Sequence, residues 1–465
     1  MLALTFKSLK VASLNVLSGG NNMSLSIIGF FTILIIVLLL ITNRVTPIVA
    51  MTLVPLIAAL IAGFELAEVG EFFSEGILTV INVAIMFIFA ILFFGVMQDA
   101  GLFNPLIRNM IKLTRGNIIA VCVSTVLVAG VAQLDGSGAS TFLITIPALL
   151  PLYKHLKMNP YLLLLLIGGS ASIMNMLPWA GPLGRAASVL GVDVSEFWRP
   201  LIPIQLTGIL LMIVLAVLLG IREKRRISKH DGLVSAEEAA LAVDQLHDDS
   251  DKSEEKETLA RPKLIWLNAL IFISVIGVLV WGIIPAGFAF MIGLSVALLV
   301  NYPTVKQQSE RLRTHAPNAL TMATIILAAG SFLGILTETG MLNSLAADLV
   351  TIIPAFIAPY LHLVIGFFGV PFDLLLSTDA YYFALLPVVE QIATGFGIDS
   401  LSTAYAMVIG NIVGTFVSPF SPALWLALGL AGLNMGKHIR YSIFWLWGIS
   451  IILLFFAVLI GVIAV

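Results

Sequence analysis

Residues 118–154 read IIAVCVSTVLVAGVAQLDGSGASTFLITIPALLPLYK. Two apolar limbs, about 118–134 and 142–152, flank a polar tip, Asp135-Gly136-Ser137-Gly138-Ala139-Ser140-Thr141. Each limb is short for a helix crossing the hydrocarbon core, which takes roughly 20 residues. Positive charge lies beyond both outer ends, at Arg115 on one side and at Lys154 and Lys157 on the other. Lys and Arg gather on the cytoplasmic face, so both ends are inside and the pair reads as a re-entrant hairpin.

The rest of the chain supports a membrane setting. Of 465 residues, 59% are hydrophobic and only 11% charged, against about a quarter charged in a soluble domain. Apolar stretches at 25–41, 77–97, 201–219, 269–283 and 443–463 meet or approach the length of a spanning helix. None alternates with the period of a membrane barrel. The class is therefore an all-α, multi-pass membrane protein, expected in the cell (inner) membrane. A net charge of −2 gives no support for a nucleic-acid partner. Cys122 is the only cysteine, so no disulfide forms within the chain. Residues 1–22 are too broken in hydrophobicity for a signal peptide and read as an extension, with Met23 an alternative start.

Charge placement orders the spans. Arg44 sets the first junction inside, and the stretch 65–76, with Glu65, Glu68, Glu71 and Glu75 and no Lys or Arg, suits the outside. Arg108, Lys112 and Arg115 are inside, ahead of the hairpin. After an interrupted span (161–189) and another at 201–219 come Arg222, Lys224, Arg225, Arg226 and Lys229, then an acidic stretch to Arg261 that reads as a solvated linker. Spans at 264–281 and 286–300 return the chain to Lys306, Arg311 and Arg313. No Lys or Arg follows until Lys437. That interval holds a span at 320–336, a second pair of short limbs (360–376 and 381–392) around Ser377-Thr378-Asp379, and a second interrupted span. This hairpin enters from outside.

The halves match in sequence. FGVMQDAGLFN (94–104) recurs as LGILTETGMLN (333–343), with Asp99 and Glu338 as helix-end residues, and the hairpins align Ser137 on Ser377 and Pro147 on Pro387. The expected fold is an inverted repeat with about five spans and one re-entrant hairpin per half, about ten spans and two hairpins in all. Its divisions are 1–22, an extension; 23–222, the first repeat; 223–262, an acidic cytoplasmic linker; and 263–465, the second repeat.

Each half offers two places where backbone leaves its helical pattern, which a membrane tolerates only beside protein or water. One is the hairpin tip. The other breaks the following span, at NMLPWAGP (175–182) and TFVSPFSP (415–422), with two prolines each. Helices restarting there aim N-terminal amides at a common centre, an anion site with hydroxyls and carbonyls beside it. Arg185 follows the first break and suits a carboxylate, its other reading being an Arg that reaches the outer interface. Asp135 and Asp379 at the tips, with Asp373 the weaker candidate, are cation or proton sites, or else caps of the second limbs. The substrate-binding set is Ser137, Gly138, Ala139, Ser140, Thr141, Asn175, Gly181, Arg185, Ser377, Thr378, Thr415, Ser418 and Ser421; resident metal ligands are not assigned.

At LDGSGASTFLITIPALLPLYK, NMLPWAGPLGRAAS and VSPFSPALW the chain resembles the citrate–divalent metal:proton symporter family (CitMHS), relatives of the divalent anion/sodium symporters. The likeness spans nearly the whole chain apart from the first residues and the linker. It implies a homodimer with a fixed scaffold and a mobile transport domain working as an elevator. It also places both tips where those relatives carry Ser-Asn-Thr; neither tip reads so here, and the relatives' sodium sites do not carry over intact.

The expected function is secondary, proton-coupled uptake of citrate or a related carboxylate, with Mg²⁺ or Ca²⁺ a candidate co-transported ion and no bound cofactor. Membrane lipid is the surrounding partner. Alternatives are a cation/proton antiporter of the same superfamily, in which Arg185 is incidental, and a sodium-coupled dicarboxylate carrier. An intramembrane serine hydrolase pairing Ser137 with His362 would need the two in one place, which opposite hairpins do not offer. No nucleotide motif appears, and the chain is not read as an enzyme.

Overall fold

The computed structural model describes residues 21–230 and 259–464, except 43, 104, 106–108, 111–112, 115–116 and 355. The N-terminal extension up to 20, the acidic stretch 231–258, and Asn104, Arg108, Lys112 and Arg115 lie outside the described residues.

All regular structure among the described residues is helical. The first half runs α1 (Asn21–Ile41), α2 (Pro47–Ile61), α3 (Leu66–Asp99), α4 (Ile118–Ala132), α5 (Gly138–His155), α6 (Pro160–Met174), α7 (Gly181–Leu190) and α8 (Ile202–His230). The second half runs α9 (Ile265–Trp281), α10 (Ala286–Asn301), α11 (Val305–Glu338), α12 (Met341–Ile352), α13 (Leu361–Phe367), α14 (Leu386–Gly395), α15 (Ser400–Ile412), α16 (Pro422–Ala431) and α17 (Met435–Leu459). A π turn, Ala380–Leu385, leads into α14. Among the described residues six helical stretches have the length and apolar character to cross a membrane. One of them is Ile118–Asp135, the first hairpin limb, which the sequence predicts to fall short and which its 3-10 turn extends.

Local chemistry sets these boundaries. Asn117 accepts the amides of Ile119 and Ala120 and opens α4; Asn159 does the same for Tyr161, with Pro160 in the first turn of α6. Asp399 caps α15, and Asn434 caps α17. Two connections expected as loops are helical instead. A reciprocal pair of bonds between Glu65 and Glu68 starts α3 at residue 66, so the acidic stretch is its first turns. Lys306, Arg311 and Arg313 ride on α11, whose 34 residues equal those of α3, in place of preceding a span at 320. Charged residues end a hydrocarbon-length stretch without ending a helix. For the same reason α8 continues to His230, past the expected boundary at 222.

α3 and α11 form the most extensive helix pair and run antiparallel. Gly76 faces Gly330 and Gly334 so closely that its Cβ would stand 2.8 Å from the Gly334 Cα. At the other end Gly95 leaves room for the His315 ring. There Asp99 Oδ2 accepts His315 Nε2 at 2.8 Å and Arg311 Nη1 at 3.2 Å, tying the two helix ends together. α2 and α10 join this pair, and α1 packs on α2 and α12; α4–α8 and α13–α17 form a second group, meeting the first where α7 touches α3 and α11, where α1 touches the π turn and where α12 touches α14.

Candidate functional site

The first tip is folded by its own side chains. After α4 a single 3-10 turn covers Gln133–Asp135, and Gly136 takes φ = 73°, the left-handed value that lets the chain reverse. Asp135 Oδ1 accepts the Ser137 amide at 2.8 Å, and Oδ2 accepts the Ser140 hydroxyl. Ser137, whose Oγ accepts the Ser140 amide at 3.5 Å, is the cap of α5; Asp135 shapes the turn ahead of it. Gln133, which carries no motif in the sequence, is fully buried. Its Nε2 donates to Asn175 Oδ1 at 2.8 Å and its Oε1 accepts the Thr141 hydroxyl at 2.6 Å. The Trp179 indole N–H donates to the Leu134 carbonyl at 2.7 Å. Tip and break of the first half are thereby one hydrogen-bonded unit.

The second tip differs. Ser377 Oγ accepts the Ala380 amide at 3.2 Å. Asp379, with Thr378 beside it in the chain, makes no capping bond; it reaches across to the first half, where its Oδ1 accepts Arg185 Nε at 2.6 Å. The side chains are 10% and 15% exposed, so Arg185 does not extend to an outer interface. Gly181 makes room for the guanidinium, since a Cβ there would stand 2.6 Å from Nη1. In the second break the Thr415 hydroxyl donates to the Ile412 carbonyl at 2.6 Å and Ser418 Oγ to the Asp373 carbonyl at 2.5 Å. Ser421 precedes α16 without a side-chain capping bond.

The two halves dock crosswise. α7 of the first half packs on the π turn of the second, and α16 of the second packs on α5 of the first. The Phe416 ring lies against Gly138, where any side chain would collide with it, and meets Phe142 edge-on at 5.1 Å. Phe416 is fixed at both backbone ends, its amide donating to Ser172 Oγ at 3.3 Å and its carbonyl accepting His438 Nε2 at 3.1 Å. Arg185 and Asp379, 194 positions apart, are the expected site residues that the fold brings into direct contact across the halves. Asp135 keeps its partners within its own tip, and Ala139 is placed by Gly138 and Ser140 on either side. His362, the hydrolase candidate, faces the Ala464 carbonyl at 3.0 Å, and Ser137 is spent on its cap. A cavity of about 530 Å³ between residues 193–199 and 282–291 contains none of these residues.

Polar tips and broken helices meeting inside a body of apolar, membrane-length helices define a multi-pass membrane transporter. The chain belongs to the CitMHS family of citrate transporters, whose profile matches residues 36–410. It is 37% identical over 440 residues to a citrate transporter of Bacillus subtilis (strain 168), covering 95% of this chain and 100% of that one. It is 36% identical over 443 residues to the Mg²⁺/citrate complex secondary transporter of the same strain, covering 95% and 99%. Among solved structures it resembles the YdaH transporter of Alcanivorax borkumensis (TM-score 0.57, 16% identity, covering 86% of this chain and 90% of that one). It also resembles MtrF of Neisseria gonorrhoeae (TM-score 0.55, 14% identity, 84% and 83%). At such identities these structures speak for the fold alone.

Proposed function

We propose that this protein is a proton-coupled secondary transporter of the cell membrane that takes up citrate, alone or as its complex with Mg²⁺ or Ca²⁺. The observation that carries this reading is the Arg185–Asp379 pair. A buried guanidinium held by one carboxylate is a place for another, and a buried ion pair tolerates exchange of partners better than loss of one. In the exchange a citrate carboxylate takes Arg185, and Asp379 is released toward the cation that arrives with the substrate. Among the described residues no three His, Cys, Asp or Glu side chains gather as a metal site, so a divalent ion would travel on ligands supplied largely by citrate. The relatives' names support citrate and its Mg²⁺ complex as first candidates.

The hydroxyls and amides of Ser137, Ser140, Thr141, Asn175, Ser377, Thr378, Thr415, Ser418 and Ser421 stand at or near the tips and breaks, and we read them as the polar lining of the path. The antiparallel α3–α11 pair, the matching order of elements in both halves and their crosswise docking support an inverted repeat, with the two pairs of limbs about the polar tips as re-entrant hairpins. In this reading the α3–α11 group is the scaffold of a homodimer, and the group holding both tips moves as an elevator. The antiporter alternative leaves Arg185 without a task, and a pair so placed favours a carboxylate substrate over it.

Citrate, with and without Mg²⁺, should raise the melting temperature of the purified protein and leave that of Arg185→Ala unmoved, because a ligand stabilises only the state that binds it. An equal rise in both proteins would remove Arg185 from the site.

A further inference from the structure

The pair just described leaves one buried carboxyl unused. Asp373 follows the helical turn Gly369–Phe372 and stands four positions ahead of Ser377, the place Gln133 holds ahead of Ser137. Gln133 is uncharged, and both ends of its amide are bonded. Asp373 is as deeply enclosed, 2% exposed, yet its Oδ2 has no hydrogen-bond partner. The Tyr382 hydroxyl, which shares its electrostatic neighbourhood, has none either.

The walls of this place are close. Gly414 of the second break sits so near Oδ2 that no Cβ would fit, Asn411 lies beside the carboxyl, and Ser418 is committed to the Asp373 backbone carbonyl. The titratable and charged groups around it do not neutralise it. Tyr381 donates to the Met407 carbonyl at 3.3 Å. Arg185 is engaged by Asp379, and His438 on α17 faces the Phe416 carbonyl. An ionised carboxylate shut away from water with only the neutral Asn411 amide beside it and one oxygen unbonded is costly, so its charge calls for a proton or a small cation.

We propose that Asp373 carries the coupling proton. Gln133, its counterpart in the other half, cannot take one, so at this position only the second half can hold a proton. Loading adds the proton to a carboxylate oxygen of Asp373 while substrate displaces Asp379 from Arg185 a few residues along the same tip; unloading on the other side reverses both steps, and no other bond is made or broken. The inference rests on the carboxylate-transport reading above.

The test uses the full chain in proteoliposomes, with labelled citrate and an internal pH-sensitive dye. Asp373→Asn should lose citrate-linked proton movement and accumulation driven by a proton gradient, while citrate-for-citrate exchange persists. Accumulation and proton movement like those of the wild type would overturn the proposal. So would loss of exchange in a variant with an unchanged melting curve, which assigns Asp373 to the substrate site, or a wild-type requirement for Na⁺ that disappears in the variant. If Asp373→Asn does not fold, Tyr382→Phe takes its place: a displaced pH profile of uptake supports the proposal, and an unchanged profile overturns it. Absence of citrate exchange in the wild type would instead strike at the transport reading itself.

Discussion

Arg185 and Asp379 depend on each other as buried opposite charges. Removing either one strands its partner, which costs about 3–5 kcal/mol, whereas removing both costs less. Thermal unfolding of Arg185→Ala, Asp379→Ala and the double variant should show this non-additivity; strictly additive losses would mean that the ion pair contributes nothing. A second expectation concerns Gln133, which holds Asn175 to Thr141. Gln133→Leu leaves two buried polar groups unsatisfied and should lower stability by about 1–3 kcal/mol each, with transport impaired. The sequence announces Arg185 and both tip aspartates, because a charge in an apolar stretch is conspicuous. It does not announce Gln133, whose only signal is an amide three positions before the tip glycine Gly136, nor that Asp379 would choose Arg185 over a cap. Both facts depend on contacts between segments far apart in the chain, which residue spacing does not encode.

At the scale of elements, the breaks and tips are written plainly. Pro178 and Pro419 lie between helices that stop at Met174 and Ile412, and Pro182 and Pro422 sit in the first turns of the helices that restart at Gly181 and Pro422. Helix ends on the charged side are less legible, because Lys, Arg and Glu propagate a helix as readily as leucine does. Thus α3 and α11 extend beyond their apolar stretches. Their crossing relies on absent side chains. Gly334→Leu would drive a side chain into the backbone at Phe72 and Gly76 and should destabilise the protein by about 1–3 kcal/mol or more, seen as a lower melting temperature. Asp99→Ala removes the acceptor shared by Arg311 and His315 and leaves the buried Arg311 without it, so this end of the pair should loosen. Faster hydrogen exchange at residues 305–315 is the measurement; unchanged protection there would show the cluster to be dispensable.

For the whole molecule, two groups of helices with a narrow set of contacts between them suit a movable body on a fixed one. Cys122 is buried and is the only cysteine, so engineered pairs can be read without background. Cross-linking α12 to α14, across the boundary between the groups, should arrest transport; cross-linking α4 to α8, within one group, should not. Equal transport in both would mean that the groups do not move apart. Citrate transport itself is tested most directly by uptake of labelled citrate into proteoliposomes under an imposed proton gradient, with and without Mg²⁺ or Ca²⁺. Gradient-driven accumulation in the wild type, absent in Arg185→Ala, is the predicted result. Failure of the wild type to accumulate citrate under any of these conditions would contradict it.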